Sequence, residues 1–187
     1  MKRYLVLYYS KTGNSRFLAE AAASALDCDI KEISPAIDKI FVLFLFSLLG
    51  VTVPTGIKRE ELTHYKEVII FGPVWGGRLI SPLRSTLKKC VASSKPIHFA
   101  VSCETPEGEK DSKYGFAQVL REAEKLGGSF IKTTFAFSMA LVKGEKPRNV
   151  LAEKAKLTEE NFRGAMKSRF DDFLATIHQG RSALPIF

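Results

Sequence analysis

The run Tyr9-Ser10-Lys11-Thr12-Gly13-Asn14-Ser15 decides how this chain is read. An apolar strand, residues 4–8, precedes it, and a helical pattern follows it. A strand that turns into a helix within six residues leaves free backbone N–H groups at the positive end of the helix dipole. That arrangement suits a phosphate. The hydroxyls of Ser10, Thr12 and Ser15 add donors without charge, and Gly13 lets the backbone come close to a ligand. A plainer reading stands beside it, in which Asn14 or Ser15 only caps the helix.

Outward from this turn, apolar runs alternate with helical patterns, which predicts βαβ units and a parallel sheet. Strands are expected at about 3–9, 29–33, 67–71, 96–102 and 130–137. Helices are expected at about 15–26, from 81 onward, at 113–126 and at 158–178. Ser81 reads as a cap with Pro82 in the first turn, and Gly127-Gly128 closes the third helix. Thr158 reads as the cap of the closing helix, with Glu159 and Glu160 in its first turn. The polar stretch 143–156 reads as loop. The whole, 1–187, reads as one domain of α/β class, a three-layer, doubly wound, five-stranded parallel sheet.

The segment Ser10-Lys11-Thr12-Gly13-Asn14-Ser15 resembles the phosphate loop of flavodoxins, Ser/Thr-x-Thr-Gly-Asn-Thr/Ser, and like that loop it follows the first strand. It lacks the Gly-Lys-Ser/Thr ending of a Walker loop and the Gly-x-Gly-x-x-Gly of a dinucleotide site. The resemblance covers roughly 2–142 and the closing helix. It implies a flavodoxin-like sheet of order 2-1-3-4-5 and an FMN cofactor with its phosphate in this loop. It further implies that the loops after strands one, three and four converge on the flavin. The second of these reads Gly72-Pro73-Val74-Trp75-Gly76-Gly77-Arg78, where Trp75, the only tryptophan, could lie against a flat ring. The third reads Ser102-Cys103-Glu104-Thr105-Pro106-Glu107-Gly108-Glu109. The family uses it for the pyrimidine edge of the flavin, and Ser102, Cys103 and Glu104 are the expected contacts. Glu104, Glu107 and Glu109 either sit near the flavin, where they would disfavour its reduced, anionic form, or point to solvent.

Composition narrows the classes. The chain has 187 residues, 45% hydrophobic and 26% charged, ordinary for a globular protein with an ample core. Cys28, Cys90 and Cys103 form no CxxC pattern, and His64, His98 and His178 are scattered, so no metal site is expected. The odd cysteine count, and no apparent export signal, favour a reducing cytoplasm. The net charge of +8 departs from the acidic electron carriers of the resembled family. Between Val68 and Cys103 no acid occurs, yet Arg78, Arg84, Lys88, Lys89 and Lys95 do. This is either a solvated helix face or a basic rim for an acidic partner, a nucleotide phosphate or an anionic lipid. No nucleic-acid module accompanies the charge.

Residues 36–58 do not fit a minimal flavodoxin. Within them Ile40-Phe41-Val42-Leu43-Phe44-Leu45-Phe46-Ser47-Leu48-Leu49-Gly50-Val51 is apolar on all sides. It is short of the ~20 residues a membrane span needs. Three readings are open: a buried crossover helix, a homodimer interface, or a contact peripheral to a membrane surface helped by basic flanks. No residue pattern assigns a catalytic acid, base or nucleophile. Three function classes follow. One is a flavin carrier passing electrons between a redox partner protein and another. The second is an FMN-dependent NAD(P)H oxidoreductase acting on a quinone or other small acceptor. The third keeps the fold without a flavin, as a regulatory or assembly module, and the intact phosphate loop argues against it.

Overall fold

Three apolar runs become the central parallel strands because both faces of each are covered. In β1 (Lys2–Tyr8), Leu5 and Leu7 enter one apolar layer, while Tyr4 and Val6 enter the other. β3 (Tyr65–Pro73) splits in the same way, Val68 and Ile70 against Ile69 and Phe71. All seven residues of β4 (Ile97–Cys103) are buried. Two covered faces remove the polar alternation of a half-exposed strand. β2 (Asp29–Glu32) and β5 (Ile131–Ser138) complete the sheet as its edges. The computed structural model describes residues 2–143 and 155–179. Most of the polar stretch read as loop, 144–154, lies outside the described residues.

The strand order is β2-β1-β3-β4-β5 with every pairing parallel, the order that the sequence resemblance implies. α1 (Asn14–Ala25) and α7 (Gly164–Gln179) cover one face, through Leu18, Ala19, Ala22, Met166, Phe170 and Phe173. α2 (Ile40–Leu48), α3 (Arg59–Leu62), α4 (Ser81–Ala92) and α5 (Ala117–Gly127) cover the other. A short α6 (Ala140–Lys143) follows β5.

One helix cap and two helix starts differ from the sequence expectation. Ser81 does not cap α4, because it is already the first helical residue and its Oγ has no partner. The Ser81 N–H donates instead to Ser47 Oγ of α2 at 2.9 Å. α5 begins at Ala117, not 113, because Lys113-Tyr114-Gly115 pack as a turn. A Cβ on Gly115 would lie 1.9 Å from the Lys110 carbonyl oxygen. α7 begins at Gly164, not Thr158. The Thr158 N–H donates to Asn161 Oδ1 at 2.9 Å, so the cap-like residues close a turn before the helix.

The apolar insertion rises from a paired stem. Ala36 N–H donates to the Pro54 carbonyl at 2.9 Å, and Gly56 N–H to the Ser34 carbonyl at 2.8 Å. Above it, α2 buries only Leu43 and Ser47, so the fully buried crossover gives way to a one-sided helix. Its outer side carries Ile40, Phe41, Phe44, Leu45 and Leu48, all exposed. Among the described residues no helix is long and apolar enough to cross a membrane.

Candidate functional site

β1 and β3 are neighbours, but the chain leaves them toward opposite faces, through α1 and α4 respectively. Such a switch point opens a crevice at the carboxyl ends of the strands. A pocket of about 310 Å³ lies there, within the size range of ligand sites. Lys11, Thr12 and Asn14 line it from the first loop, Pro73, Val74, Trp75 and Gly76 from the second. Ser102, Cys103 and Glu104 line it from the third, and Met139 closes it from the end of β5.

Four of the residues singled out in the sequence serve this pocket from behind. The Gly13 N–H donates to Ser10 Oγ at 3.1 Å, which shapes the turn into α1, and Gly13 itself sits at φ +95°, where glycine is favoured. Ser15 Oγ and Ser102 Oγ share a buried hydrogen bond of 2.7 Å that ties the first loop to the third. Gly76 and Gly77 both have positive φ, and the Arg78 N–H returns to the Trp75 carbonyl at 3.1 Å. A Cβ on Gly77 would lie 2.4 Å from the Lys113 carbonyl oxygen, so no side chain fits there. Val74 N–H donates to the Ser102 carbonyl at 3.0 Å, joining the second and third loops.

One aromatic side chain among the described residues, Trp75, lines the pocket. Trp75 packs edge-on against Tyr9, with ring centroids 5.9 Å apart. Tyr9 donates its hydroxyl to Asp38 Oδ1 at 3.0 Å, and Asp38 also holds the Lys11 ammonium. Burial first, and then that bond to Asp38, pushes the Tyr9 hydroxyl far above its ordinary range. The hydrogen bond from Lys11 holds the Asp38 carboxyl below its usual value. Burial pushes the Cys103 thiol up to about 12, and its Sγ lies 3.6 Å from the Thr105 carbonyl. Tyr9, Asp38 and Met139 escaped the sequence reading, because each acts through a partner distant in sequence.

Most of the basic stretch is spent inside the fold. Arg84 pairs with Glu122 at 2.9 Å, with Arg78 at 3.9 Å from the same carboxylate. Lys89 donates to the carbonyls of Thr55 and Ile57, and Lys95 to that of Tyr65. Glu107 lies 3.5 Å from Arg169. A larger cleft of about 610 Å³ sits at the amino end of β1, between Lys2, Cys28, Asp29 and His178. Size favours it, but the switch point lies elsewhere, and its Lys2 and Asp29 pair with each other at 2.6 Å.

No family model and no curated protein matches the chain. Solved structures do. A flavoprotein from Lactobacillus acidophilus NCFM, determined in complex with FMN, aligns with a TM-score of 0.55 at 16% identity. The alignment covers 73% of this chain and 93% of that one. A flavoprotein from Bacteroides uniformis aligns with a TM-score of 0.56 at 18% identity, over 73% of this chain and 90% of that one. A short-chain flavodoxin associated with a bacterial microcompartment aligns over 96% of this chain and 98% of its own, with a TM-score of 0.52 at 12% identity. The architecture is therefore that of the open, doubly wound α/β proteins with a ligand crevice at the switch point. Within that class, the fold is flavodoxin-like.

Proposed function

We propose that this chain binds FMN in the pocket at 10–15, 73–77 and 102–104 and passes electrons between partners. One observation carries the reading: three loops distant in sequence meet on a single pocket, with a helix N-terminus on one side and Trp75 on another. The N-terminus of α1, with Thr12 and Lys11 beside it, has the chemistry to hold a phosphate. Val74, Trp75 and Met139 form the apolar side that a flat ring needs. A structure of the same fold was determined with FMN.

Bound there, the flavin supplies the redox chemistry. The chain's own residues hold it and set its surroundings. Glu104 brings negative charge to the pocket, which opposes charge gained on reduction and lowers the potential. Cys103, protonated at neutral pH, is a contact rather than a redox thiol. The net charge of +8 favours an acidic partner protein.

A second reading, an FMN-dependent NAD(P)H oxidoreductase, draws on Phe44. A Cβ on Gly76 would lie 3.2 Å from Phe44 Cε2, so the apolar helix meets the second loop of the pocket. A small apolar acceptor such as a quinone suits that junction. The test is an absorption spectrum with added FMN, followed by anaerobic titration with NADPH. Bound flavin that NADPH leaves oxidised supports the carrier. Bleaching by NADPH supports the oxidoreductase, and no bound flavin overturns both.

A further inference from the structure

Asn14 is the loop residue that a phosphate-loop reading would most readily give to the ligand, yet its side chain is committed elsewhere. Its Nδ2 donates to the Ala155 carbonyl at 2.8 Å, and its Oδ1 accepts the Leu157 N–H at 2.8 Å. Asn14 is 4% exposed and Leu157 is 3% exposed, so the bond to the Leu157 N–H is buried, while the bond to the Ala155 carbonyl is part-buried. A buried amide paired on both of its polar atoms is a structural clamp. It holds backbone 141 residues away in sequence against the first turn of α1.

Between the two clamped residues sits Lys156. Its carbonyl accepts from Asn161 Nδ2 at 2.8 Å, which fixes the segment from its other side. Its side chain turns toward the loop: a Cβ built on Gly13 would lie 3.5 Å from Lys156 Cε. Gly13 caps α1, so the lysine stem runs over the N-terminal end of that helix. Lys11, the cation within the loop itself, is held by Asp38. Lys156 therefore stands beside the helix end as a second cation, and among the described residues no ion pair engages it.

We propose that residues 155–157 form a latch on the first loop, in which Asn14 is the positioning residue and Lys156 provides positive charge to the terminal phosphate of the ligand. This rests on the FMN reading and deepens it. The site then selects the phosphorylated flavin over the unphosphorylated one by charge as well as by backbone N–H groups. An ammonium next to a dianionic phosphate strengthens the contact, and exposure to solvent moderates the gain.

The test uses the whole chain, with flavin removed, titrated with FMN and separately with riboflavin by quenching of flavin fluorescence. Lys156→Gln is expected to weaken FMN about fivefold and to change riboflavin less than twofold. The salt dependence of FMN binding should flatten in that variant, and Lys156→Arg should restore most of the affinity. If Lys156→Gln binds FMN as the parent does, the latch is overturned and the flavin reading stands. Equal weakening for FMN and riboflavin overturns the charge role as well, because a packing defect does not discriminate between them. A parent chain that binds neither flavin overturns the FMN reading and the latch with it.

Discussion

The first loop and the α2 helix break the inside–outside rule in opposite senses. At the loop, polar side chains are buried: Asn14, Ser15 and Ser102 are each under 8% exposed. On α2, apolar side chains face solvent: Phe41 is 75% exposed and Ile40 59%. A buried polar group costs free energy unless it is bonded, so the loop residues had to find partners within the fold. They found them across the chain, Ser15 with Ser102 and Asn14 with the backbone at 155 and 157. An exposed apolar residue forgoes about 25 cal/mol per Å² of burial and gains nothing within the chain. The polar exceptions thus tie the molecule to itself, and the apolar ones point outside it.

The largest expected effect tests whether α2 is truly one-sided. Leu43→Ala should cost about 2–5 kcal/mol, because Leu43 is fully buried beneath the helix. Phe41→Ala, two residues away, should stay within about 0.5 kcal/mol of the parent. Urea unfolding of both variants at low protein concentration measures this. Equal costs would break the contrast, by showing Phe41 packed within the same chain. Next in size is the clamp. Asn14→Ala removes one buried and one part-buried bond and strands the Leu157 N–H, an expected loss of about 2 kcal/mol. A cost no larger than that of an ordinary surface change would mean that 155–157 is not held.

Much of this was legible in the sequence, for physical reasons that also explain the failures. The three central strands could be read because a doubly covered parallel strand is a continuous apolar run, as in Val68-Ile69-Ile70-Phe71, whereas the edge strand β2 has no buried residue. Helix starts were less legible, because tertiary contacts decided them. Thr158 with Glu159 and Glu160 has the composition of a cap, but the clamp at Asn14 fixes the backbone just before it, and Asn161 closes a turn there. The pocket loops were legible as local motifs rich in glycine and hydroxyls. The duties of Asn14, Met139 and Lys156 were not, since nothing local to any of them names a partner so far along the chain.

The smallest effect separates a cap read from sequence from the cap that the fold uses. Ser81-Pro82 has the local look of a capped start, yet Ser81 Oγ is buried without a partner. The work falls to Ser47, whose hydroxyl donates to the Leu43 carbonyl at 2.6 Å and accepts the Ser81 N–H at 2.9 Å. One side chain thereby closes a turn of α2 and caps α4. Ser47→Ala should therefore cost about 1 kcal/mol, the usual loss for a cap. Ser81→Ala should be close to neutral, because its hydroxyl makes no bond to lose. Thermal unfolding of the two variants side by side decides between them. The reverse order would return the cap to Ser81 and free α2 from α4. The sequence-local rule would then have been right, and the insertion would be tied to α4 through the bonds from Lys89 to the Thr55 and Ile57 carbonyls rather than through α2.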